Sequence, residues 1–206
     1  MRIGVDFDNT LVSYDDLLYR LARERELIPD GAPSSKREIR DALRALPGGE
    51  IQWQRLQGLA YGPRIDQAEA IPGVTSFFRA CAARGVAVSV VSHKTLYAAY
   101  DPTGTDLRQA ALAWMDKHLF FASEGLGLAR EDVHFATSRR EKIECIRRLG
   151  CQVFIDDLDE TFAEPGFPDG VERFLFSPSC AESAVPGVRS LASWEDLRRA
   201  CFGAHA

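Results

Sequence analysis

The stretch Arg2-Ile3-Gly4-Val5-Asp6-Phe7-Asp8-Asn9-Thr10 decides how the rest of the chain is read. Its apolar half is too short for a helix and turns acidic abruptly, the pattern of a buried parallel strand that delivers polar side chains at its end. Similar runs recur. Val86–Val91 ends at Ser92, and Val153–Ile155 ends at Asp156 and Asp157. Val133–Ala136 and Val171–Phe176 are two further candidate strands.

Helical patterns lie between these runs. Val74, Phe77, Phe78, Cys81 and Ala82 recur at helical spacing, with Gly85 as a stop. Leu107, Ala110, Ala111, Trp114 and Met115 form a second stripe, and Ile143, Ile146 and Leu149 a third that ends at Gly150. Ser193 with Asp196 opens a last helix by a capping box. Strands alternating with helices predict a parallel sheet covered on both faces, whose reactive groups gather at the carboxyl ends of the strands. Residues 13–70 differ: they hold helical stretches at Asp16–Ile28, Ser35–Leu46 and Glu50–Tyr61 and no convincing strand. This predicts a core of residues 1–12 and 71–206 with a small helical insertion at 13–70.

Composition bounds the function. The 206 residues are 46% hydrophobic and 27% charged, a globular balance. A net charge of −5 without a long basic run argues against nucleic acid as a partner. No apolar run reaches bilayer length and the first strand turns acidic at once, so the expectation is a cytoplasmic protein without a membrane partner. The five cysteines form no C-x-x-C pair, which encodes neither a zinc site nor a disulfide framework and predicts small apolar fillers. Oligomeric state is left open.

The chemistry-bearing residues sit at the strand ends. Asp6 and Asp8 flank Phe7 where strand gives way to loop. One such carboxylate can attack a phosphate ester while the other handles the leaving group's proton, provided a divalent cation offsets the ester's negative charge. An acidic strand end capping a turn explains the pair equally well. Ser92 could hold a phosphoryl oxygen or serve as a helix N-cap. His93 in a loop could touch substrate or be merely solvated, and it stays outside the catalytic pair. Lys142 could bind a phosphoryl group or lie on the surface beside Arg139 and Arg140. Asp156 and Asp157 repel one another and call for a cation, for which Mg²⁺ is suited, whereas Asp159 and Glu160 fit a helix start.

Together, Asp6/Asp8, Ser92, Lys142 and Asp156/Asp157 resemble, in order and context, the haloacid dehalogenase superfamily, over nearly the whole chain except the insertion. The resemblance implies a Rossmann-like three-layer α/β/α sandwich with a helical cap that covers the active site. It implies Asp6 as nucleophile, Asp8 as general acid/base, and a phosphate-binding set of Ser92, Lys142, His93 and Thr10, which also supports the first loop. Mg²⁺ would be held by Asp6, Asp156, Asp157 and the main-chain carbonyl of Asp8. The segment from Lys142 to Asp156 is too short for a second cap.

The implied activity is hydrolysis of a small-molecule phosphate ester. Asp8 disfavours a dehalogenase, which needs no proton donor there, and a chain without membrane helices is no ion pump. A phosphomutase or a non-catalytic phospho-ligand binder on the same fold are the remaining alternatives; intact carboxylates favour the enzyme. Ser92–Thr95 together with Asp106-Leu107-Arg108 resembles bacterial phosphatases of surface-polysaccharide pathways, which implies a sugar or amino-alcohol phosphate. Tyr14, Trp53, Tyr61 and Arg64 are candidate substrate contacts in the insertion.

Overall fold

In the computed structural model, residues 1–32, 34–101, 103–122 and 124–203 are described. In chain order the elements are β1 (Arg2–Val5), β2 (Val12–Ser13), α1 (Asp15–Glu24), α2 (Lys36–Arg44), α3 (Gly49–Tyr61), β3 (Glu69–Ala70), α4 (Val74–Ala83), β4 (Ala87–His93) and α5 (Leu107–Lys117). There follow β5 (Val133–Ala136), α6 (Arg139–Leu149), β6 (Val153–Asp156), α7 (Asp159–Phe162), β7 (Glu172–Phe176), β8 (Val188–Leu191) and α8 (Trp194–Phe202). Contacts divide the chain into two compact units. The first is Met1–Leu11, Ala70–Lys94 and the chain from Leu119 onward; the second is Val12–Glu69 with Thr95–His118.

The first unit is built on a six-stranded sheet in the order β5-β4-β1-β6-β7-β8, and each neighbouring pair is parallel. Side-chain alternation along β7 shows how its faces are covered. Leu175 packs into an apolar cluster with Ile143, Cys145 and Ile146 of α6 and with Phe162 of α7. Its neighbour Phe176 points the other way, 6.0 Å from Trp194 of α8, which in turn meets Phe77 of α4 at 4.8 Å. Helices therefore lie on both faces, giving the expected α/β/α sandwich. The expected stops hold: Gly85 and Gly150 take positive φ (62° and 64°), which a residue without Cβ adopts freely.

The second unit contains α1, α2, α3 and α5. The Ser35 hydroxyl accepts from the Glu38 amide at 3.3 Å, as a capping box requires, and Ile39 and Leu43 form the buried stripe of α2. Two features depart from expectation. The first helix ends at Glu24, not Ile28, because the chain reverses through a left-handed Glu26 (φ 54°). The Leu27 amide then bonds the Ala22 carbonyl and the Glu26 amide that of Arg23, a Schellman stop. Helix α5, placed in the core by sequence order, clusters instead with the second unit. There the Trp114 indole N–H donates to the Ala68 carbonyl at 2.8 Å, and Trp114 stacks on His118.

The cysteines are free; Cys81, Cys145 and Cys151 are buried fillers, whereas Cys180 is exposed. Among the described residues no helix is long and apolar enough to cross a membrane.

Candidate active site

Register alone brings two carboxylates together. Val5 pairs with Ile155, and the Asp6 amide donates to the Ile155 carbonyl at 2.9 Å, so Asp6 stands beside Asp156 at the carboxyl ends of β1 and β6. Close packing beneath them is needed. A Cβ on Gly4 would lie 2.5 Å from the Phe154 ring, so only glycine lets that ring cover β1. The Lys142 ammonium sits 5.5 Å from the centre of the same ring.

Lys142 arrives from the first turn of α6, whose start is fixed by the Ser138 hydroxyl accepting from the Glu141 amide at 3.1 Å. It is buried, unlike Arg139 and Arg140, which pair with Glu164 and Glu144 on the surface. Its Nζ donates to Asp6 Oδ1 and to Asp156 Oδ2, both at 2.6 Å. Asp156 Oδ1 accepts from the Leu158 amide at 2.9 Å, so both Asp156 oxygens are engaged. One oxygen each from Asp6, Asp156 and Asp157 lie within 4.8 Å of one another.

The electrostatics follow from two buried carboxylates sharing one ammonium. Burial disfavours the charge on Asp6 more than Lys142 restores it, and Asp156 adds repulsion, so the Asp6 carboxyl is pushed up to about 7. Burial alone would lower Lys142, but Asp156 and Asp6 outweigh it and hold the ammonium firmly protonated. With all three carboxylates ionised, the cluster with Lys142 carries two excess negative charges, and its donors are hard oxygens. That set fits a divalent cation such as Mg²⁺.

Asp8 is set apart by a turn. The Leu11 amide bonds back to the Phe7 carbonyl at 2.9 Å, and Asn9 takes a left-handed φ of 57°. The Asp8 carboxylate meets Lys94, whose Nζ lies 3.0 Å from Oδ1 and 2.9 Å from Oδ2. Lys94 was given no role by the sequence reading. Its signal was its place in the Ser92–Thr95 stretch, directly after the strand-end pair Ser92-His93.

The remaining candidates are placed as follows. Ser92 lies within β4, so it is not a helix cap, and its hydroxyl is buried without a hydrogen-bond partner. Thr10 Oγ1 is likewise buried and unpartnered, while the Thr10 carbonyl accepts from the Trp194 indole at 3.0 Å. Such orphaned hydroxyls are rare in a folded protein and fit sites that wait for a ligand. His93 is exposed at the end of β4, with Nε2 3.2 Å from the Thr137 carbonyl. Asp159 does more than start α7: it accepts from the Ser183 hydroxyl and the Ala184 amide and so ties down a loop. In the second unit Tyr14 and Trp53 are buried, the Tyr14 and Tyr61 rings lie 4.3 Å apart, and Arg64 pairs with Glu24.

The sequence matches no protein-family model and no curated protein. Solved structures do resemble it along almost its full length. A HAD hydrolase of family IA, variant 3, from Entamoeba histolytica superposes with a TM-score of 0.57 at 10% identity, covering 95% of this chain and 94% of that one. A HAD family hydrolase from Deinococcus radiodurans, solved with bound phosphate and sodium, gives 0.55 at 16% identity over 97% and 94%. A phosphoserine phosphohydrolase-like protein from Francisella tularensis gives 0.54 at 13% over 98% and 99%. The parallel sheet, its strand order and these neighbours agree: the chain has the Rossmann-like α/β fold of the haloacid dehalogenase superfamily hydrolases.

Proposed function

We propose that this protein is a Mg²⁺-dependent phosphomonoester hydrolase that works through an aspartyl-phosphate on Asp6. The observation that carries the reading is Lys142, buried and bound at 2.6 Å to both Asp6 and Asp156, with an Asp157 oxygen in the same cluster. Carboxylates concentrated around a fixed ammonium suit a substrate that brings phosphate together with a metal cation. Mg²⁺ would be held by Asp6, Asp157 and the main-chain carbonyl of Asp8, with Asp156 acting partly through water, since its own oxygens are engaged. When bound, it would offset charge on the phosphoryl oxygens and orient the phosphorus.

The chain's own residues supply the rest. An Asp6 oxygen attacks phosphorus as the ester P–O bond breaks, and Asp8 gives its proton to the leaving oxygen. Asp8 then takes a proton from the water that attacks the aspartyl-phosphate, which releases inorganic phosphate and restores Asp6. Lys142 and the orphaned hydroxyls of Ser92 and Thr10 are the phosphoryl ligands. The phosphate bound to the Deinococcus radiodurans neighbour is consistent with this reading. Substrate choice falls to the inserted unit, and the resemblance favours a sugar or amino-alcohol phosphate.

Hydrolysis of p-nitrophenyl phosphate should stop on chelation with EDTA and return with Mg²⁺. Asp6→Asn should lower turnover by at least about 10⁴-fold, the scale seen when a covalent nucleophile is removed. Full activity under chelation would sink the metal, and normal turnover by Asp6→Asn would sink the nucleophile.

A further inference from the structure

We propose that Lys94 is the positioning residue for Asp8, holding the carboxylate in the orientation from which it exchanges protons with the leaving oxygen and the attacking water. The inference rests on the reading of Asp8 as acid/base. Four observations carry it. Lys94 follows the last residue of β4, and its amide donates to the Ala136 carbonyl at 2.9 Å, which fixes its backbone to the sheet. Its side chain is only 2% exposed, although it is a lysine at the rim of a sheet. Its ammonium lies 3.0 Å from one Asp8 oxygen and 2.9 Å from the other. The Phe7 ring flanks it, with the centroid 5.4 Å from Nζ.

A buried ammonium is strongly unfavourable without a carboxylate, so the partnership fixes both groups. Asp8 gains most from this. It sits on a turn with a left-handed residue next to it, and its side chain is 18% exposed at the edge of the site. Gripping both oxygens from one side sets the plane of the carboxylate. Proton transfer needs a heavy-atom approach of about 2.6–3.2 Å, and a displacement of about 1 Å can cost 100-fold in rate. Lys94 thus differs from Lys142, which binds the nucleophile and its neighbour.

The two half-reactions separate this role from general support of the fold. Phosphorylation of Asp6 by p-nitrophenyl phosphate needs little help from Asp8, because p-nitrophenolate leaves without a proton; hydrolysis of the phosphoenzyme needs Asp8 as base. Rapid-quench kinetics should be run on the Mg²⁺-loaded full chain for wild type, Lys94→Met, Lys94→Arg, Asp8→Asn and the double variant Asp8→Asn/Lys94→Met. Lys94→Met should slow dephosphorylation about 10–100-fold and the phosphorylation burst less than about threefold, leaving KM nearly unchanged. In the Asp8→Asn background the same change should have almost no further effect, because its route to the chemistry is gone. Equal slowing of both half-reactions, a rise in KM alone, or additive losses in the double variant would overturn the proposal. If Lys94→Met does not fold, Lys94→Arg decides on the same ratio, since a guanidinium keeps the charge but not the point geometry. If Asp8→Asn itself leaves dephosphorylation intact, the acid/base assignment fails first. A selective loss in Asp8→Asn but not at Lys94 rejects only the role of Lys94.

Discussion

Two buried lysines serve the acidic strand ends, and they are built in opposite ways. Lys142 comes from a helix and is shared by two carboxylates, Asp6 and Asp156, each almost sealed from solvent. Lys94 comes from the end of a strand, and the carboxylate it grips, Asp8, still reaches solvent. Burial, reinforced by the negative charge that a shared ammonium leaves over, pushes Asp6 up, and that excess charge favours binding of a further cation. A one-to-one pair leaves no excess charge and holds an oriented carboxylate that is still open to solvent. In the proposed mechanism the same residue types would serve a nucleophile in one place and a proton shuttle in the other, distinguished by stoichiometry and exposure.

The largest effect should come from breaking the shared lysine. Lys142→Met strands two buried carboxylates, and denaturant unfolding in the absence of metal should show a loss of about 3–5 kcal/mol. Phosphorylation of Asp6 should vanish with it. Lys94→Met should lose distinctly less stability, because Asp8 can turn to water; equal losses would mean that the two sites are not built differently after all.

A smaller effect sharpens the electrostatic half of the comparison. The Asp6 carboxyl titrates near 7 in the folded metal-free protein against an ordinary value of 3.8. The folded state thus holds the extra proton, so this group's contribution to stability is greatest below about pH 4 and falls until about pH 7. Binding of Mg²⁺, as proposed, should have the opposite dependence. Between about pH 5 and 7 the ion must displace that proton, so affinity should rise by up to about tenfold per pH unit and level off above 7. Calorimetry in two buffers of different protonation enthalpy should show proton release at pH 6 and almost none at pH 8. A flat pH profile would show that Asp6 does not bind the ion as a carboxylate.

The smallest effect concerns the orphaned hydroxyl. Ser92→Ala removes a buried donor that has no partner, so stability should hold or rise by up to about 1 kcal/mol. Competitive inhibition by inorganic phosphate should nevertheless weaken. A destabilised variant with unchanged phosphate inhibition would mark Ser92 as a structural residue.

How much of this was legible in the sequence depends on how local each cause is. Asp6, Lys142 and Asp156 could be read because strand ends and helix starts are local patterns, and the parallel sheet then brings them together. The meeting of Lys94 with Asp8 could not, because burial of a lysine depends on partners distant in the chain. Strand β8 escaped notice: Val188-Arg-Ser-Leu191 is a short edge strand with little apolar pattern. The end of α1 escaped too, since Glu26 fills a left-handed position that usually announces itself as glycine. Helix α5 is legible from its stripe, but Leu107 and Trp114 cannot say which unit they pack into.

The central place of β1 has a consequence for how the chain is made. Ile3 pairs on one side with Val88 and on the other with Val153, so its strand is flanked only once β6 exists. At a synthesis rate of about 5–20 residues per second, the nascent strand waits on the order of ten seconds for its last neighbour. Throughout that interval Ile3 and Val5 are an apolar segment with at least one open edge, the kind that seeks other chains. Asp6 and Asp8 follow immediately, and charges flanking such a segment discourage misassociation. Whatever else they do, the two carboxylates guard a strand that has not yet found its sheet.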